Sequence, residues 1–144
     1  MGRRPVHPPW GIAVDGSGNL YVTDTNNYRI KKFNSTTFSS LSFNTATPYG
    51  GSGDGQFNAP MGVAVDGQGN VYVADTTNMR VQKLSASGAF IAKWGSYGTS
   101  GNYQFNLPEG IAVNSAGTLV YVADTYNNRV MEFSVSGTTA TYIT

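Results

Sequence analysis

From Gly62 to Arg80 the chain reads GVAVDGQGNVYVADTTNMR. Two alternating apolar runs, Val63-Ala64-Val65 and Val71-Tyr72-Val73, flank Asp66-Gly67-Gln68-Gly69-Asn70. Alternation marks strands with one buried face, and Asp, Gly and Asn tolerate the backbone angles of a tight turn, so the stretch predicts a β-hairpin. The same phrase occurs as GIAVDGSGNLYVTDTNNYR from Gly11 to Arg29 and as GIAVNSAGTLVYVADTYNNR from Gly110 to Arg129. The chain is therefore an internal repeat, with a period of about 50 residues.

Just before each copy of the phrase, Gly55 to Gly62 aligns without gaps on Arg4 to Gly11 and on Tyr103 to Gly110, which makes Val6, Phe57 and Phe105 equivalent apolar anchors. The middle copy predicts strands a to d at 62–65, 71–74, 80–84 and 89–94. The first copy predicts 11–14, 20–23, 29–33 and roughly 38–43, and the third 110–113, 119–123, 129–133 and 138–143. Strands this short suit a small antiparallel meander. The reading is one unit over 1–144, all-β, with three four-stranded modules at approximately 5–55, 56–103 and 104–144. Glycine-rich connectors, Tyr49 to Gly55 and Gly95 to Gly101, follow the first two modules.

Composition agrees: eighteen glycines, nine tyrosines and no long helix-forming run point to a β protein with many turns. Zero cysteines exclude disulfides and cysteine-ligated zinc. A net charge of +1 supplies no large field for nucleic acid or an acidic surface, and no apolar run approaches a membrane span, so a soluble protein of open compartment is expected. Met1 to Pro9 has Arg3 and Arg4 but no apolar segment, unlike a secretory signal.

The pattern Pro-x-Gly-[Ile/Val]-Ala-Val-Asp, then Gly-Asn-[Leu/Val]-Tyr-Val-[Thr/Ala]-Asp-Thr, then Asn-x-Arg-[Ile/Val], resembles the NHL repeat, the blade unit of six-bladed β-propellers. Asn114 in place of the first Asp, and one extra residue within Thr118-Leu119-Val120, are the departures. The resemblance implies a propeller and leaves function open, because the family's functions are diverse. Three blades leave two outer faces without a neighbour, and repeats of this kind need neighbours to bury their apolar faces. The expectation is a C2 homodimer closing one six-bladed ring, blade three of each chain on blade one of the other. A fragment, natural or engineered, of a longer six-bladed chain is the alternative.

The motif DTxNxR occurs at Asp24 to Arg29, Asp75 to Arg80 and Asp124 to Arg129. An acid and a guanidinium in every blade suit a structural clamp better than catalysis, since a catalytic group is needed once. The expected roles are an Asp accepting backbone N–H groups in the b–c turn and an Arg forking onto a nearby carboxylate or carbonyl. The DGxGN turns lack calcium-loop spacing, and Gly50 to Gly55 lacks the Lys and helix of a phosphate loop. His7, the single histidine, cannot build a three-histidine zinc site, and no Ser/His/Asp or Cys/His set is present. No catalytic residue is assigned, and the chain is read as non-enzymatic.

Glu109 stands apart among the acids. It precedes the inner strand where the other copies carry Trp10 and Met61, and two such carboxylates facing across a channel mouth could hold Ca²⁺ or a cationic group. No other cofactor is expected. The d–a and b–c loops lie on one side of an antiparallel blade, and the positions that vary between copies fall there: Trp10, Met61 and Glu109; Asn26, Thr77 and Tyr126; Tyr28, Met79 and Asn128. Variable residues on loops over a rigid scaffold suit recognition. The reading is a binding or scaffold module that pairs with itself and recognises a protein, peptide or small molecule. A calcium-dependent lactonase or lyase-like enzyme with a metal at Glu109 is the competing class. RNA is disfavoured, because Arg3, Arg4, Lys31, Lys32, Lys83 and Lys93 form no stripe.

Overall fold

A computed structural model of the chain describes residues 8–43 and 49–144. The anchor Val6 and the loop position of His7 lie outside the described residues. The first blade comprises β1 (Ile12–Val14), β2 (Leu20–Asp24), β3 (Arg29–Phe33) and β4 (Ser40–Phe43). The second comprises β5 (Gly62–Val65), β6 (Val71–Asp75), β7 (Arg80–Leu84) and β8 (Phe90–Trp94). A connector follows with β9 (Ser96–Tyr97) and β10 (Gln104–Phe105), and the third blade comprises β11 (Pro108–Val113), β12 (Leu119–Asp124), β13 (Arg129–Ser136) and β14 (Thr139–Tyr142). Each blade is an antiparallel sheet with its strands in chain order.

The hairpin turns are built by their acids rather than by glycine alone. Asp66 Oδ1 accepts the backbone N–H groups of Gln68 and Asn70, both at 2.9 Å, and its Oδ2 accepts Asn70 Nδ2 at 2.8 Å. Asp15 repeats this with Ser17 and Asn19. Asn114 substitutes with its amide oxygen, accepting Thr118 N at 2.8 Å and Leu119 N at 3.0 Å, so the longer third turn stays closed. Strand limits fall near the predicted ones. The exception is β13, which runs to Ser136 instead of ending at Phe133, because Val135 is carried into the core.

Alternation gives every blade two unlike faces. Tyr21, Ile30 and Phe43 from one face of blade one pack on Val63, Val71, Val73 and Leu84 of blade two, with Phe57 completing the cluster. One blade further on, Tyr72, Val81 and Trp94 pack on Val120, Val122 and Phe133, with Phe105 in the place of Phe57. At these positions the junctions match, and the second adds Met131 and Val135. The end faces lack that cover: Ile30 and Val81 are 0% exposed, whereas their counterpart Val130 is 65% exposed. At the other end Ile12 is 68% exposed and its counterpart Val63 only 6%.

Candidate functional site

The b–c turns and the connectors form one surface. Each turn is a single 3₁₀ turn, Thr25–Asn27, Thr76–Asn78 and Thr125–Asn127, followed by a residue in the left-handed region: Tyr28 at φ 56°, Met79 at φ 53° and Asn128 at φ 53°. Thr77 N donates to Asn58 O and Tyr126 N to Asn106 O, both at 3.1 Å, which fastens the second and third turns to the connectors beneath them.

In the DTxNxR motif the Arg reaches a carboxylate and nearby carbonyls as expected, while the Asp departs from its expected role. No Asp side chain caps its own turn. Asp75 Oδ1 accepts the backbone N–H of Asn58, and its Oδ2 takes Asn78 Nδ2 at 2.9 Å, Arg80 Nε at 2.7 Å and Gln82 Nε2 at 3.0 Å. The Arg80 guanidinium then donates to the carbonyls of Ser52, Gly53 and Gln56. The motif therefore clamps the incoming connector to the blade. Burial pushes the Asp75 carboxyl upward, opposed by the N–H of Asn58, the Asn78 amide and Arg80. Asp124 and Arg129 repeat the clamp on Asn106, Gly101 and Gln104. Asp24 pairs with Arg29 at 2.8 Å in the first blade, where Arg29 is more exposed than Arg80.

Trp10, Met61 and Glu109 come together. Gly11 packs against the Met61 carbonyl and Gly62 against the Glu109 carbonyl, so closely that a Cβ at either glycine would collide. That approach sets the three residues side by side at one end of the inner strands. They line a groove of about 260 Å³ with Ile12, Val63 and Ile111. Glu109 sits where the β11–β12 register shifts between Pro108 and Gly110, an irregularity that re-aims side chains. Among the described residues no three His, Cys, Asp or Glu side chains stand together as a metal cage.

The other candidates stay apart, one set per blade. Asn26 and Tyr126 are exposed on their turns, and Asn128 is exposed at its left-handed position. Met79 is turned toward the next blade, where its sulfur accepts the Leu107 N–H at 3.1 Å and its side chain packs on the core. Sequence reading overlooked Thr25 and Thr76, which are buried and cross the junctions: Thr25 Oγ1 donates to Pro60 O and Thr76 Oγ1 to Pro108 O, both at 2.7 Å. Their recurrence two residues before the motif's Asn was the available signal.

Four-stranded sheets in chain order, stacked face to face with their first strands lining a common groove, are the blades of a β-propeller. The chain belongs to the NHL repeat family, whose model matches residues 9–33, 57–84 and 105–133. The B-box type zinc finger protein ncl-1 of Caenorhabditis elegans is 54% identical over 37 residues, 26% of this chain and 4% of that protein. Among solved structures, virginiamycin B lyase from Staphylococcus aureus superposes with a TM-score of 0.67 at 16% identity, covering 97% of this chain and 42% of that one. A chain of a nidogen/laminin complex superposes with a TM-score of 0.70 at 15% identity, covering 96% of this chain and 48% of that one. These structural likenesses carry the fold. The chain spans a small part of ncl-1 and less than half of either structure's chain.

Proposed function

We propose that the protein is a non-catalytic binding module that pairs with a second copy to close a six-bladed ring and recognises its ligand on the connector and turn face. One observation carries the assembly. The open face of blade three, with Tyr121 and Val130, repeats the faces that blades one and two bury, and the open face of blade one, with Ile12 and Val14, repeats the faces those blades bury them against. Burying both removes apolar patches that a lone chain would leave in water.

The threonine series supports the same junction. Thr25 reaches Pro60 and Thr76 reaches Pro108, whereas among the described residues the Thr125 hydroxyl makes only a 3.4 Å contact to Ala123 O. The next acceptor in that series is the partner's Pro9. Recognition by the connector face rests on its build: exposed Tyr49, Tyr97 and Tyr126 among Gly, Ser and Asn, held on a rigid sheet.

A second reading is favoured by the small share of ncl-1 that the chain spans, in which the remaining blades come from further repeats of a longer protein. Light scattering across a dilution series tests both. A mass twice the 15.3 kDa of one chain supports the closed pair. A persistent single-chain mass overturns it in favour of blades supplied elsewhere.

A further inference from the structure

We infer that the groove at Trp10, Met61 and Glu109 is a binding site for an organic cation, an alkylammonium or guanidinium group. This deepens the binding-module reading and rests on it, while the groove itself lies within one chain.

Three features converge on that chemistry. Among the described residues Glu109 is the only ionisable side chain lining the groove, and it forms no ion pair with any of them. No lysine or arginine among the described residues lines the groove to compensate its charge. The other walls are an indole, a thioether and aliphatic side chains: Trp10 is 64% exposed although it borders the groove, and an indole is the best aromatic surface for a cation. The backbone irregularity between Pro108 and Gly110 leaves Glu109 without a partner in the β11–β12 ladder, and Glu109 lines the groove beside these apolar residues.

An isolated carboxylate beside apolar and aromatic surface suits a cation with an apolar skin. A strongly hydrated metal ion is poorly served by one carboxylate, because Ca²⁺ takes six to eight oxygen ligands. An alkylammonium or guanidinium group needs one counter-charge and a surface for its carbon or π face.

The probes are choline, its uncharged carbon isostere, and N-acetyl-arginine amide, followed through tryptophan emission. The chain has two tryptophans, and Trp94 is buried in the second junction, so a Trp94→Phe background reports Trp10 alone. Saturable binding of choline or of the arginine amide, absent with the isostere and weakened about tenfold or more by Glu109→Gln and, followed by titration calorimetry because the reporting indole is then gone, by Trp10→Ala, is the expected result. The two cations distinguish a free ammonium ligand from a side chain presented by a peptide. Equal binding of the isostere, unchanged affinity in Glu109→Gln, or no saturable response overturns the site. A thermal shift with Ca²⁺ alone that Glu109→Gln abolishes also overturns it, in favour of a metal ligand. Mass measured on the same samples reports ring closure separately: cation binding by a single-chain species keeps the site and removes the ring.

Discussion

Asp75 accepts the backbone N–H of Asn58 at 2.8 Å, so a carboxylate ending the second strand of its blade holds the connector that entered the blade 17 residues earlier. Arg80 lies against the same carboxylate and ties three connector carbonyls. Both side chains are almost wholly buried, and removing one charge leaves the other uncompensated. Asp75→Asn is therefore expected to cost about 3 kcal/mol in urea unfolding. A loss below about 1 kcal/mol would mean that the connector is held by its other contacts alone.

The two threonines Thr76 and Thr125 make a matched pair of probes. Thr76→Val leaves the buried Pro108 carbonyl without its donor and is expected to cost about 1–3 kcal/mol. Under ring closure Thr125→Val costs a similar amount, although Thr125 is exposed in the single chain. If thermal melts show Thr125→Val to be neutral at concentrations where the protein is double its chain mass, the threonine does not cross the new junction.

Val130 occupies the position that Ile30 and Val81 bury at the internal junctions. Val130→Lys places a charge at the centre of the proposed contact, and the expected outcome is a fall to the 15.3 kDa species with the β fold retained by circular dichroism. Val130→Ile should leave the mass of the assembly unchanged. Dimerisation that survives Val130→Lys would remove this face from the interface.

Burial pushes the Tyr72 phenol well above its ordinary value of 10.0, and the Asp66 carboxylate 3.2 Å from the hydroxyl adds to the shift. The folded chain thus keeps a proton that the unfolded chain releases above pH 10. Above that pH the unfolded state binds fewer protons, so stability falls as pH rises, while below it the contribution is fully present. Tyr72→Phe should make the alkaline decline shallower in melts recorded on both sides of pH 10. An identical decline in the variant would assign the effect to other groups, Tyr21 first, whose phenol burial also raises.

The repeat, its four strands and its turns are legible in the sequence, because these depend on alternation and on side chains acting a few residues away, as Asp66 does on Gln68 and Asn70. The sequence also placed Trp10, Met61 and Glu109 at equivalent positions, since each precedes an aligned glycine. It is the packing of the sheets that brings those three into one groove through the glycines, gives Asp75 a backbone N–H from Asn58 rather than from its own turn, and lets Thr76 span two blades. The parallel β9–β10 pair and the left-handed backbone at Tyr28 and Met79 likewise carry no local signature, whereas Asn128 is a residue suited to that conformation. The reason is one of distance along the chain. Period and turn chemistry are written locally, but the partner of a buried carboxylate or hydroxyl is set by which distant backbone the packed sheets bring against it.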